Sequence, residues 1–184
     1  MPNVSAHIGC ALKVKEKLNI KDDRFILGAL LPDIIDYDKR KTHFKIKGKE
    51  YLIPDLEYYL NNYDIKNSQN CGYFFHLYLD YYFLEDYLFN NKRGIDVFNG
   101  STLYNDYDII NKSLVDHYNI NIPYVEEVLM KYSNNKVSKK KLDNNIRCLK
   151  LNEQGNTNYI DINKFVPFLD KIVDKFINEY KDKI

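Results

Sequence analysis

The stretch from Gly72 to Asn90 limits the fold of this chain more than any other segment, because it is apolar or aromatic on nearly every side of a helix. A surface helix carries one apolar stripe and one polar face; a helix without a polar face must be enclosed by neighbours. The expectation is an all-α, single-domain bundle (residues 1–184) around a central buried helix over about 72–90. Two residues in that helix oppose its burial. His76 and Asp80 stand four positions apart, which puts both side chains on one face, about one turn from each other. A buried imidazole and a buried carboxylate are costly to desolvate unless something pairs with them.

The chain has 184 residues, enough for one substantial core. Its 45% hydrophobic and 29% charged residues read as globular. With 27 basic against 26 acidic residues, the overall charge gives no strong signal for nucleic acid or a membrane surface. No apolar run approaches the roughly 20 residues needed to span a bilayer. The opening residues Met1 to His7 lack a basic segment followed by an apolar one. A cytoplasmic protein is therefore expected. Cys10, Cys71 and Cys148 are odd in number and lack CxxC spacing, so free and mostly buried thiols are expected rather than a disulfide framework.

Helical periodicity runs through most of the chain. Ser5 is a candidate cap for a helix reaching about Leu18, with Ile8, Ala11, Leu12, Val14 and Leu18 as its apolar side. Phe25 to Leu31 reads as a short helix stopped by Pro32, leaving Asp33 in a loop. Lys39 to Tyr51 alternates differently and suits a short hairpin or an irregular loop. Its six basic residues, Lys39, Arg40, Lys41, Lys45, Lys47 and Lys49, either form a solvated surface or a positive field beside His43. Further helices are expected at Pro54 to Asn61, from Ser101 through Val115, from Pro123 through Tyr132, and from Asn163 to Tyr180. Pro167 is tolerable in the last of these only within the first turn. Asn90 to Gly100 reads as a loop, and Ser133 to Lys141 as an exposed polar connection.

The candidate site gathers around His76 and Asp80. His7 lies near the start of the first helix, Asp33 follows Pro32, and His43 sits in Thr42-His43-Phe44. Together they offer three imidazoles and two carboxylates, a donor set that suits a divalent cation. His7, Asp33, His43, His76 and Asp80 are thus the candidate metal ligands. Asp33 and Asp80 are also candidates to orient a reacting water. Asp106, Asp108, Asp116 and His117 are weaker candidates to complete a second site; placement at a helix start explains the first two better, and a surface helix position explains the others better.

The ordered combination of an early histidine, LGALLPD, a THF segment and GYFFHLYLD resembles the zinc-dependent phospholipase C and S1/P1 nuclease superfamily, in its branch of short bacterial hydrolases. The resemblance covers roughly residues 1–89. It implies an all-helical fold, zinc ions, and hydrolysis of a phosphodiester by metal-activated water. On this resemblance Asp33, His43, His76 and Asp80 match the ligands of one zinc, Asp80 is the bridging carboxylate, and His7 matches a ligand of a second. The family's downstream ligands are a further His and an HxxxE or HxxxD pair. Here the only later histidine is His117, and Asn121 stands where an acid would be needed. The expectation is therefore one or two zinc ions, another divalent cation being possible chemically. The substrate class implied is a small anionic phosphodiester or a phospholipid headgroup. A phosphohydrolase of the HD type is disfavoured, because Asp116 precedes His117 and no adjacent His-Asp pair exists. A non-catalytic helical binding protein with a structural or vestigial metal site is the alternative.

Overall fold

Asn3, not Ser5, caps the first helix: its side chain accepts from the Ala6 N–H at 3.0 Å. Ser5 lies inside the helix, fully buried, and donates to the Asn111 side chain. A computed structural model describes residues 2–47, 52–89 and 101–184. Helix α1 (Val4–Lys17) is followed by α2 (Arg24–Gly28), α3 (Leu31–Ile34) and α4 (Lys39–Thr42). Strands β1 (Lys45–Lys47) and β2 (Leu52–Pro54) form a small antiparallel pair, Ile46 opposite Ile53. Then come α5 (Leu56–Asn62), α6 (Ser68–Tyr82), a π-helical continuation (Phe83–Phe89), α7 (Ser101–His117), α8 (Ile122–Tyr132), α9 (Lys139–Leu149) and α10 (Ile162–Tyr180). The expected loop at Asn90 to Gly100 lies outside the described residues, as do Lys49 and Tyr51 of the basic segment. No helix among the described residues is long and apolar enough to cross a membrane.

The central helix is where the patterning puts it. Every residue from Phe74 to Leu79, with His76 among them, and Asp80 after them, is buried, so α6 has no solvated face over two turns. It packs against α1, α2, α3, α5 and α10. The contact with α2 is the tightest, and glycine makes it possible. A Cβ at Gly72 would lie 2.0 Å from the Phe25 carbonyl oxygen, and one at Gly28 would lie 2.1 Å from that of Gln69. No side chain fits there, so the two backbones close directly on each other. That approach brings the turn after α2 alongside His76.

Three further expectations are corrected. Pro32 does not strand Asp33 in a loop; it sits in the first turn of α3, where a missing N–H removes no helical bond, and Asp33 is helical. Pro167 lies inside α10, beyond its first turn, so the Asn163 carbonyl receives no N–H from it. The helix persists because Phe165, Leu169, Ile172, Val173 and Phe176 are buried along one stripe. The supposed connection up to Lys141 gives way at Lys139 to α9, an amphipathic helix contacting α1, α3, α7 and α8. The thiols behave as expected: Cys10 and Cys71 are buried, Cys148 is half-buried, and all three are free.

Candidate metal centre

Four elements bring the five upstream candidates to one point. His76 and Asp80 come from α6, His7 from α1, Asp33 from α3, and His43 from the end of α4. The Nε2 atoms of His43 and His76 lie 3.2 Å apart. Asp80 Oδ2 is 3.6 Å from His43 Nε2 and 3.7 Å from His76 Nε2, while its other oxygen, Oδ1, is 3.3 Å from His7 Nε2. Asp33 Oδ1 is 3.6 Å from His43 Nε2. Around a tetrahedral zinc with bonds of about 2.0–2.1 Å, neighbouring ligand atoms stand about 3.3–3.4 Å apart. The observed separations, 3.2 to 3.7 Å, are close to that spacing.

The outer faces of the rings are fixed by the chain itself. His76 Nδ1 donates to the Ala29 carbonyl at 2.8 Å, the bond that the Gly28–Gly72 approach makes available. His43 Nδ1 lies 2.9 Å from the Lys39 carbonyl and 3.0 Å from Thr42 Oγ1. In both rings an Nδ1–H donated outward leaves Nε2 as the inward lone pair, the arrangement that orients a histidine for a metal. The His7 ring stacks on that of His76, with centroids 3.9 Å apart and planes within 9°.

The segment holding His43 is strained and clamped. Phe44 has φ of 45°, a left-handed conformation unfavourable for an aromatic residue. Its ring is packed among Tyr58, Tyr59, Tyr63 and Tyr73, which over-determines the backbone. Tyr73 also donates to the Thr42 carbonyl from α6. The clamp ties the turn carrying His43 to the helix carrying His76.

Electrostatically the cluster favours neutral imidazoles beside an ionised Asp33. Burial lowers His7 to about 4, His76 to about 4 and His43 to about 3, despite the carboxylates nearby. Burial pushes Asp33 up, but the positive charges facing it, His76 when protonated and then the Lys39 ammonium, outweigh this and hold its carboxyl well below the usual carboxylate range. Neutral imidazole and ionised carboxylate are the forms that ligate a cation. Even so, the site is not satisfied by protein. Both nitrogens of His7 and both carboxylate oxygens of Asp80 are fully buried without a hydrogen-bond partner. Buried polar groups of this kind call for an explanation, and an ion is one. His7, Asp33 and His76, and separately His43, His76 and Asp80, place ligand atoms within 4.8 Å of one another. These buried His and Asp groups could hold a metal ion.

The downstream candidates do not join them. Asp106 is buried but fully engaged: it accepts backbone N–H bonds from Asn158 at 2.9 Å, Tyr159 at 2.6 Å and Ile160 at 3.0 Å. Asp116 is exposed and paired with Lys112. His117 is exposed and lies 3.6 Å from Asp170. Asp108 lines a cleft but is absent from the ligand groups found among the described residues. Of the basic segment, Lys39 reaches the centre, with Nζ 2.9 Å from Asp33 Oδ1. That contact was not legible in the sequence, since all six basic residues share one composition. Comparison with protein-family models, with curated proteins and with solved structures finds no match to this chain.

Proposed function

We propose that this protein is a metal-dependent phosphoesterase that hydrolyses a small anionic phosphodiester or a phospholipid headgroup, with zinc as the first choice of cation. The observation that carries this reading is the unsatisfied pair at the heart of the cluster, His7 and Asp80, among three more residues of ligand chemistry. Three imidazoles and two carboxylates suit zinc better than magnesium or calcium, which prefer oxygen alone. His43, His76, Asp80 and Asp33 would hold one ion. The two oxygens of Asp80 face different histidines, so Oδ1 with His7 offers a place for a second.

A divalent cation bound there would supply an acidified water and positive charge for the phosphoryl oxygens. The chain supplies the rest. Asp33 is 13% exposed, whereas the side chains of the other four are fully buried, so it is the member of the set that meets solvent. Its carboxylate, ionised at neutral pH, accepts a hydrogen bond from the attacking water and orients it. Asp80 faces all three imidazoles. The buried rings exclude bulk water from the reacting face.

The separation of Asp108, Asp116 and His117 from the cluster favours one other reading, a helical binding protein whose metal is structural. Hydrolysis of bis(4-nitrophenyl) phosphate separates the two. On the proposed reading, chelation abolishes turnover, zinc restores it, and Asp80→Asn retains less than about 1% of the rate, the scale of losing a main electrostatic contribution. Full zinc occupancy without turnover of this or any diester in a broad panel would favour the structural reading.

A further inference from the structure

A cleft of about 590 Å³ opens beside the cluster, and of the five candidate ligands Asp33 alone lines it. Tyr104 from α7 and Lys140, Asn144 and Asn145 from α9 form its far walls. Lys39 stands where the cleft meets the centre. Its ammonium contacts Asp33 at 2.9 Å, its side chain is 55% exposed, and it also lines the cleft. Its backbone carbonyl, separately, orients His43. The residue is thus anchored beside the candidate ligands by its main chain, while its ammonium, paired with Asp33, is half exposed toward the cleft.

We propose that Lys39 is a catalytic residue of this site: it binds an anionic oxygen of the substrate seated in the cleft. This rests on the phosphoesterase reading above. The reasoning is electrostatic. A divalent ion held by Asp33 would compete with Lys39 for the same carboxylate. The Lys39 ammonium, which lines the cleft, would then be available to an anion entering it. A charge-assisted bond from a lysine to a phosphoryl oxygen is strong where water is partly excluded. Among the described residues, the positive field that the sequence places beside His43 therefore narrows to Lys39. Lys45 and Lys47, on β1, do not line the cleft.

The test compares inorganic phosphate binding to zinc-loaded wild type, Lys39→Gln, Lys39→Arg and the Lys45→Gln/Lys47→Gln double variant, with zinc content measured on every sample. Lys39→Gln is expected to weaken phosphate about tenfold or more, the loss of one charge-assisted contact. Lys39→Arg should recover most of that affinity, and the double variant should match wild type. Zinc content should stay at the wild-type level in all, and zinc affinity should hold or rise in Lys39→Gln, because a competitor for Asp33 is gone. Phosphate affinity unchanged in Lys39→Gln overturns the proposal while leaving the metal reading intact. Loss of zinc in Lys39→Gln also overturns it, by making Lys39 a structural support. Wild type that takes up no zinc overturns the metal reading instead.

Discussion

Asp80 and Asp106 are both aspartates on long helices, and both are fully buried. Their surroundings differ completely. Asp106 sits at the mouth of a turn whose successive N–H groups, from Asn158 to Ile160, converge on its carboxylate. Asp80 faces three imidazoles, and neither of its oxygens accepts a hydrogen bond. Burial alone therefore does not mark a functional carboxylate. Asp106 is explained by the chain around it: it ties the segment before α10 to α7. Among the described residues nothing satisfies Asp80 in that way, and its neighbours are side chains of ligand chemistry.

Removing each acid in metal-free protein sharpens the contrast. Asp106→Ala strands three backbone donors in the interior and should cost about 3 kcal/mol or more in chemical denaturation. Asp80→Asn removes a buried carboxylate that has no hydrogen-bond partner and should leave the chelated protein as stable as wild type, or more so. An equal loss for both variants would make Asp80 a structural anchor like Asp106.

A smaller effect is expected with pH. His7, His43 and His76 titrate near 6.5 when unfolded but near 4, 3 and 4 in the folded protein, because burial disfavours their charged forms. Between pH 6.5 and about 4 the unfolded chain binds more protons, so stability of the metal-free protein falls as pH falls through that window. The contribution is on the order of 1.4 kcal/mol per pH unit for each histidine. Asp33, depressed below the usual carboxylate range, adds to the loss only at lower pH. Urea midpoints flat from pH 7 to 5 would show that the rings are not held neutral.

The site was more legible in the sequence than its surroundings. His76 and Asp80 announce themselves because polar residues at i and i+4 interrupt an otherwise apolar helix, and the upstream His and Asp supply matching chemistry. What they rest on was hidden. The Ala29 carbonyl and the Gly28–Gly72 contact are backbone features, which no side-chain pattern encodes. The Phe44 clamp depends on four tyrosines brought together from α5, its C-terminal end and α6. Helix α9 escaped for a different reason. It opens with Lys139, Lys140 and Lys141, which oppose the helix dipole, and only Leu142 and Leu149 are buried along it. Packing against four other helices holds it, and such support is invisible to local periodicity. The cleft wall it supplies was invisible with it.

The central claim is that His7, Asp33, His43, His76 and Asp80 hold a divalent ion, and equilibrium zinc binding followed by elemental analysis tests it most directly. Wild type should retain one or two zinc ions per chain through gel filtration. His76→Ala and Asp80→Asn should lose most of that zinc, while His117→Ala, at an exposed position beside Asp170, should keep all of it. Wild type that binds neither zinc nor manganese, or a loss in His117→Ala equal to that in His76→Ala, would contradict the account.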